Sequence, residues 1–415
     1  MNDQNSGPDK LQVAVLAALS SVAFIMVLGN SLLIPVLPEI KSALRLTQLK
    51  VSLLITLFSV PAGLVIPLAG FLSDRYGRKK VIIPSLILYG LGGVLAGLAA
   101  LFFKHAAFSI ILLGRVLQGI GAAGTAPVAM AFCGDLYIGK LRPKALGVIE
   151  AANGFGKVVS PVLGALLGLL SWYAAFLFLP FAVIPVVLGI WLLTKEAASK
   201  KSDQGIGQYF KSFLSLFEKK SVLLLSSFIG GMTALLLLFG VLFFLSDHLE
   251  TAFHYDGIKK GAVLAVPVLF LCITSYVTGM IFIKKNALVL KWLVVSGLAV
   301  IAAALASLGV FKQIIFFFAA ISLIGVGAGF VLPCLNTVIT SVTASEKRGL
   351  VTSLYGGVRF WGVAIGPPLF SLLMKKSELF MFLGSASLAA AAFLVAVFFI
   401  RTKEITIGDK NTAGK

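Results

Sequence analysis

The sequence predicts an all-α membrane protein: twelve transmembrane helices in two pseudo-symmetric six-helix bundles. Three observations carry that expectation. The 415 residues are 59% hydrophobic and only 12% charged, about half the charge of an ordinary soluble domain, and mean hydropathy is +1.03. The apolar residues gather into twelve runs, each near the roughly 20 residues needed to cross a bilayer. One register also relates the two halves of the chain.

In order, the runs fall near 12–36, 50–72, 81–103, 108–133, 146–170 and 172–194, then 221–246, 261–283, 292–310, 314–341, 350–374 and 380–400. The polar stretch Met1 to Lys10 lacks the basic region and cleavage site of a signal peptide, so the first run is read as a retained span. The expected organisation is an N-terminal bundle (1–194), a linker (195–220), a C-terminal bundle (221–401) and a tail (402–415). Lys and Arg concentrate in the connections that follow even-numbered helices. By the positive-inside bias, both termini and the linker face the cytoplasm.

The formal charge of +19 is therefore read as topology and attraction to lipid headgroups, not as a nucleic-acid surface. Cys133, Cys272 and Cys334 lie in apolar runs and suggest no disulfide framework. His105, His248 and His254 fall in expected outer loops without a metal-ligand pattern. In the linker, Lys195, Lys200, Lys201, Ser202 and Asp203 precede Ile206, Tyr209, Phe210, Phe213 and Phe217 at helical spacing. That pattern predicts an amphipathic helix on the inner leaflet, with Lys211, Lys219 and Lys220 near the headgroups.

A shift of 206 residues lays Gly119, Gly121, Ala122 and Pro127 on Gly325, Gly327, Ala328 and Pro333. The same shift, without gaps, lays Arg142, Gly156, Pro161 and Leu163 on Arg348, Gly362, Pro367 and Leu369. Parallel repeats of this kind build rocking transporters, whose substrate site lies between the halves near mid-membrane.

Between helices 2 and 3 stand Gly70, Asp74, Arg75, Gly77, Arg78, Lys79 and Lys80. The glycines allow a tight turn and close packing, Asp74 supplies a carboxylate, and the guanidiniums can pair with acids on a neighbouring helix. In helix 4, Arg115 and Gln118 precede Gly119, Gly121 and Ala122. An arginine at this depth should face protein or water and mark a function, and the small residues permit close helix approach. On helix 5, Glu150, Asn153, Lys157 and Pro161 share one face. Glu150 and Lys157 are two turns, about 10 Å, apart along the axis.

The segment 70–80 resembles the cytoplasmic signature of the major facilitator superfamily, and helix 4 resembles that family's helix-4 motif. Helix 5 carries a degenerate form of the antiporter pattern: Gly156, Ser160, Pro161, Gly164 and Ala165. Helix 11 repeats its first half as Gly362, Gly366 and Pro367. Arg142, Pro143, Lys144 and Gly147 are similar to the loop before helix 5 in bacterial multidrug exporters. The connection at 279–291, which should repeat the first signature, keeps little beyond Gly279, Lys284 and Lys285. The resemblance implies the major facilitator fold, and a bacterial cell-membrane exporter akin to twelve-helix drug–proton antiporters. It implies that Asp74 docks on the N-terminus of helix 11 and that Arg78 pairs with Asp135. Together these would latch the cytoplasmic side while the carrier faces outward. It also associates Arg115 with proton transfer.

Gly156-Lys157 is no phosphate-binding loop, because Val158 follows and position 151 is Ala. No clustered carboxylates, histidines or nucleophile–base pair suggest an enzyme, and no filter segment suggests a channel. The expected partners are a small amphipathic substrate, protons and the bilayer, with no cofactor, metal or nucleic acid, and the chain is expected to act as a monomer. The proton carrier is read as Glu150, with Arg115, and as partly buried. The cavity is read as formed by Asn30, Asn153, Lys157, Asn336 and Arg359, with Thr56, Ser226 and Thr340 as weaker candidates. Arg115, Lys157 and Arg359 outnumber the one carboxylate within the spans, so an anionic or zwitterionic cargo is expected. A dedicated metabolite, siderophore or lipid exporter or flippase of the same superfamily, coupled to protons or not, is the alternative.

Overall fold

The computed structural model describes residues 10–103, 107–139, 141–196, 206–282, 286–311, 313–342, 348–402 and 405. Twelve helices in it are long and apolar enough to span a membrane. They are α1 (Lys10–Ala43), α2 (Gln48–Tyr76), α3 (Arg78–Phe102), α4 (Ala107–Leu136), α5 (Leu141–Leu170), α6 (Ala174–Leu193), α7 (Ser221–Thr251), α8 (Gly257–Ile281), α9 (Ala287–Val310), α10 (Ile314–Ser341), α11 (Gly349–Met374) and α12 (Glu378–Phe399). Each expected run is found, and most extend by a few residues into polar flanks that the hydropathy pattern undervalues. Two spans are interrupted. Pro35 lies in a 3-10 turn (Ile34–Val36) of α1, and α4 breaks between Ala123 and Ala126 at Gly124 and Thr125.

The linker departs from expectation. Backbone from Ile206 runs unbroken into α7, as one 46-residue helix, Ile206–Thr251, and not as a separate surface helix. No proline interrupts this stretch, so nothing stops helix propagation. Lys200, Lys201, Ser202, Asp203, Lys284, Lys285 and His105 lie outside the described residues, as do the side chains of residues 208–220 and of Arg348. All of the tail but Thr402 and Ile405 lies outside them too.

The 206-residue register is visible in the packing. An added Cβ at Gly119 of α4 would strike the Phe58 carbonyl of α2, and one at Gly325 of α10 would strike the Pro267 carbonyl of α8. Likewise Gly156 of α5 packs on the Phe24 carbonyl of α1, and Gly362 of α11 on the Met232 carbonyl of α7. Equivalent glycines thus set equivalent helix pairs at close range, which is what small residues do for association in lipid.

The halves meet along two seams, α2 with α11 and α5 with α8. In the first, Gly63 approaches the Gly357 carbonyl and Thr56 Oγ1 donates to the Ala364 carbonyl at 2.7 Å. In the second, Gly261 lies against the Pro161 carbonyl and Cys272 Sγ donates to the Gly154 carbonyl at 3.4 Å. The face remote from the 70–80 turn, here the far face, has additional ties. Lys41 at the end of α1 pairs with Asp247 at the end of α7 at 3.0 Å, and Ser246 Oγ donates to the Ile34 carbonyl at 2.6 Å. Buried Lys260 of α8 pairs with Glu250 at 2.6 Å beside them. Lys41 and Asp247 stand 206 residues apart, so equivalent positions of the two repeats meet as an ion pair.

Candidate functional site: a cationic cavity between the halves

A cavity of about 160 Å³ lies between the bundles. Its walls come from α1 (Met26, Val27, Asn30, Ser31), α2 (Phe58), α5 (Asn153, Lys157), α7 (Leu235, Leu238, Phe239, Leu242), α8 (Val268, Leu271), α10 (Leu332) and α11 (Arg359, Phe360, Val363). The lining is mainly apolar with a few convergent polar groups, the usual character of a small-molecule site. Spacing explains the α5 contribution, since Asn153 and Lys157 are one turn apart on a single face. Of the sequence-derived cavity residues, Asn30, Asn153, Lys157 and Arg359 line it.

Asn336 does not. It is exposed in α10, about one turn from Leu332 and beyond the enclosed volume, where the expectation is corrected. Glu150 is also outside the lining. It is exposed, not partly buried, because its place on the α5 face is two turns from Lys157 toward the 70–80 turn. Thr56 is spent on the α2–α11 seam. Ser226 is buried and bonds back to the Leu223 carbonyl, and Thr340 bonds back to the Asn336 carbonyl, as hydroxyls in helices often do.

Among the described residues the cavity is lined by two cations and no carboxylate. Arg359 lies 4.8 Å from the Tyr355 ring centroid, and its Nε is buried without a hydrogen-bond partner. Among the described residues neither Lys157 nor Arg359 has an ion-pair partner. Two such charges in an apolar site call for a counter-charge from outside the protein.

Arg115 is placed differently. It is fully buried and absent from the lining. Its Nε donates to the Leu54 carbonyl at 2.8 Å, Nη1 to Gln118 Oε1 at 2.6 Å and Nη2 to Asn30 Oδ1 at 2.5 Å. The guanidinium carbon lies 4.5 Å from the Phe58 ring centroid. Asn30 Nδ2 in turn donates to Ser59 Oγ at 2.8 Å. Arg115 therefore stands one residue behind the cavity and fixes two of its walls, Asn30 and Phe58. No carboxylate touches it.

At the 70–80 turn, Arg78 Nε donates to Asp135 Oδ2 at 3.0 Å, and Arg78 Nη1 meets Asp74 at 2.5 Å. Gly77 has φ of 112°, in the region that favours glycine, and a side chain there would also collide with Glu196. Asp74 thus closes on its own turn, and among the described residues no hydrogen bond or ion pair joins it to α11. The Arg78–Asp135 half of the expected latch is formed, and the Asp74 half is an ion pair within the turn. Arg75 lies beside Tyr76, 5.6 Å from its ring centroid. Gly70 packs near Ser353 of α11.

Sequence reasoning missed Lys79, whose Nζ donates to the Trp191 and Thr194 carbonyls at 2.7 Å each. The lysine caps the C-terminal end of α6, where a cation complements the helix dipole. The remaining motif positions are packing contacts. Gly121 lies on Tyr89 of α3, Gly164 on the Leu32 carbonyl and Gly366 on the Leu236 carbonyl. Pro161 and Pro367 sit inside α5 and α11.

The family model described as Major Facilitator Superfamily matches residues 19–367 and 290–415. The chain is 41% identical to the bacillibactin exporter of Bacillus subtilis over 389 residues, covering 93% of this chain and 96% of that protein. It is 31% identical over 225 residues to multidrug resistance protein 1 of the same organism, covering 51% and 54%. A solved inward-facing, unoccupied bacterial homolog of the human lysosomal transporter Spinster superposes with a TM-score of 0.76 at 20% identity, covering 96% and 99%.

Proposed function

Since the chain belongs to the major facilitator superfamily, a family of transporters and not of enzymes, we propose that it is a secondary active exporter. It carries an amphipathic small molecule of anionic or zwitterionic character out of the cell in exchange for protons. The observation that carries this reading is the cavity between the halves, whose only charged lining residues among those described are Lys157 and Arg359. The 70–80 turn faces the cytoplasm, where the basic connections lie. The state described is then tied on its outer face by Lys41–Asp247. The cavity, about 160 Å³, is below the roughly 300 Å³ of the smallest drug-sized pockets, so loading requires the halves to part.

A narrower second reading, a dedicated siderophore exporter, is favoured by the near full-length identity to a bacillibactin exporter. The likeness to multidrug resistance protein 1 covers only about half of each chain. Both readings use the same cavity.

Proton exchange falls to Glu150, the exposed carboxylate two turns from Lys157 on the same side of α5. Proton-motive force is sufficient in magnitude, since one charge crossing 100 mV gains about 2.3 kcal/mol against about 1.4 for a tenfold gradient. The test uses inverted membrane vesicles energised by a proton gradient and supplied with bacillibactin. The account expects uphill uptake with alkalinisation of the acidified lumen. Glu150→Gln should abolish uphill uptake but spare exchange of labelled for unlabelled substrate. Undiminished uphill uptake by Glu150→Gln removes Glu150 from the mechanism, and uptake without proton movement removes the coupling.

A further inference from the structure

Lys157 and Arg359 belong to opposite halves, the first to α5 and the second to α11, yet they line one small cavity. Neither is paired within the protein among the described residues, and the buried Nε of Arg359 has no partner. Behind the N-terminal wall stands a third cation, Arg115, bonded to Asn30 at 2.5 Å and likewise without a carboxylate. Like charges on opposing walls of a low-dielectric site resist closing it while it is empty. A single acid group can satisfy one wall and leave the other exposed to that cost.

Building on the export reading above, we propose that the cavity takes a cargo with two acid groups on one apolar body, one group held by Lys157 and the other by Arg359. The substrate is the bridge between the halves. Loading turns the repulsion across the cavity into two attractions, so the halves close on the filled carrier more readily than on the empty one. Phe58, Phe239 and Phe360 supply the apolar surface for the body, and Asn153, one turn from Lys157, can donate to a polar linker. Among the described lining residues no carboxylate offers a cation a counter-charge. Two linked anchors also give the second acid the advantage of an intramolecular contact.

The test compares two amphiphiles with the same aryl-alkyl body, one bearing a single carboxylate and the other two, titrated into purified full-length transporter in nanodiscs. The wild type should bind the diacid at least tenfold more tightly than the monoacid. A charge-assisted contact carries about that factor or more. Lys157→Gln and Arg359→Gln should each bring the diacid down to the monoacid level, and the double variant should weaken both probes. Lys157→Arg and Arg359→Lys, which keep the charge, should retain the preference, and thermal melting of each variant separates lost binding from lost folding. Equal affinity of the wild type for the two probes would overturn the bridge, as would an unchanged preference in both folded glutamine variants. Either result leaves export itself standing, since vesicle uptake reads that separately.

Discussion

Arg115 and Arg359 are both arginines in membrane-spanning helices, and the protein treats them in opposite ways. Arg115 in the N-terminal half is fully buried, with three different hydrogen-bond acceptors and an aromatic ring beneath it. Arg359 in the C-terminal half lies over Tyr355 and presents itself to the cavity with its Nε unpartnered. Charge at bilayer depth is expensive in either case. In the first it is compensated by the protein's own oxygens. In the second, on the proposed reading, the compensation is left for the cargo. Position within a span therefore does not assign a role, while the set of partners does.

The largest effect expected from that contrast is on folding. Arg115→Leu removes a cation whose side-chain acceptors, Gln118 Oε1 and Asn30 Oδ1, would be left buried and unsatisfied. Each buried acceptor left unsatisfied costs about 1–3 kcal/mol, so the variant should show a lowered melting temperature and poor membrane expression. Arg359→Gln should fold and melt like the wild type, with anionic cargo transport reduced about tenfold to a hundredfold. If Arg359→Gln unfolds the protein while Arg115→Leu merely lowers transport, the two roles have been exchanged.

A smaller effect sharpens a second contrast, between the tied far face and the turn face. Lys41–Asp247 is partly exposed, so its contribution to stability is on the order of 1 kcal/mol or less. Lys41→Asp should still place two carboxylates together and shift the carrier toward opening of its outer face, read as a several-fold faster alkylation of a cysteine introduced at Leu242. The double exchange Lys41→Asp with Asp247→Lys should restore slow labelling. Fast labelling in the double variant would show that the pair does not hold that face.

These contrasts also mark how far the sequence could be read. The fold was legible because hydropathy and a gap-free register report burial and duplication directly. The α5 wall was legible because i, i+4 spacing determines which residues share a face, as Asn153 and Lys157 do. Glu150 obeys the same spacing but lies outside the cavity, since periodicity says nothing about where along the axis a volume closes. Asn336 was chosen for its residue type alone, and type does not report which way a side chain faces. Whether Asp74 bonds to α11 or to Arg78 depends on the conformational state, which no local pattern encodes. The tie of Lys79 to the end of α6 depends on tertiary approach. Lys41–Asp247 was within reach: applying the 206-residue shift to charged positions pairs a lysine with an aspartate at the ends of equivalent helices.

The central claim is that the protein leaves two cations uncompensated so that an anion can complete them. Matched amphiphiles of one body, one bearing an anionic and the other a quaternary ammonium headgroup, test it most directly by calorimetric titration into the wild-type transporter. The account predicts saturable binding of the anion at least tenfold tighter than that of the cation, with the difference shrinking as salt is raised. Tighter binding of the cation would contradict it.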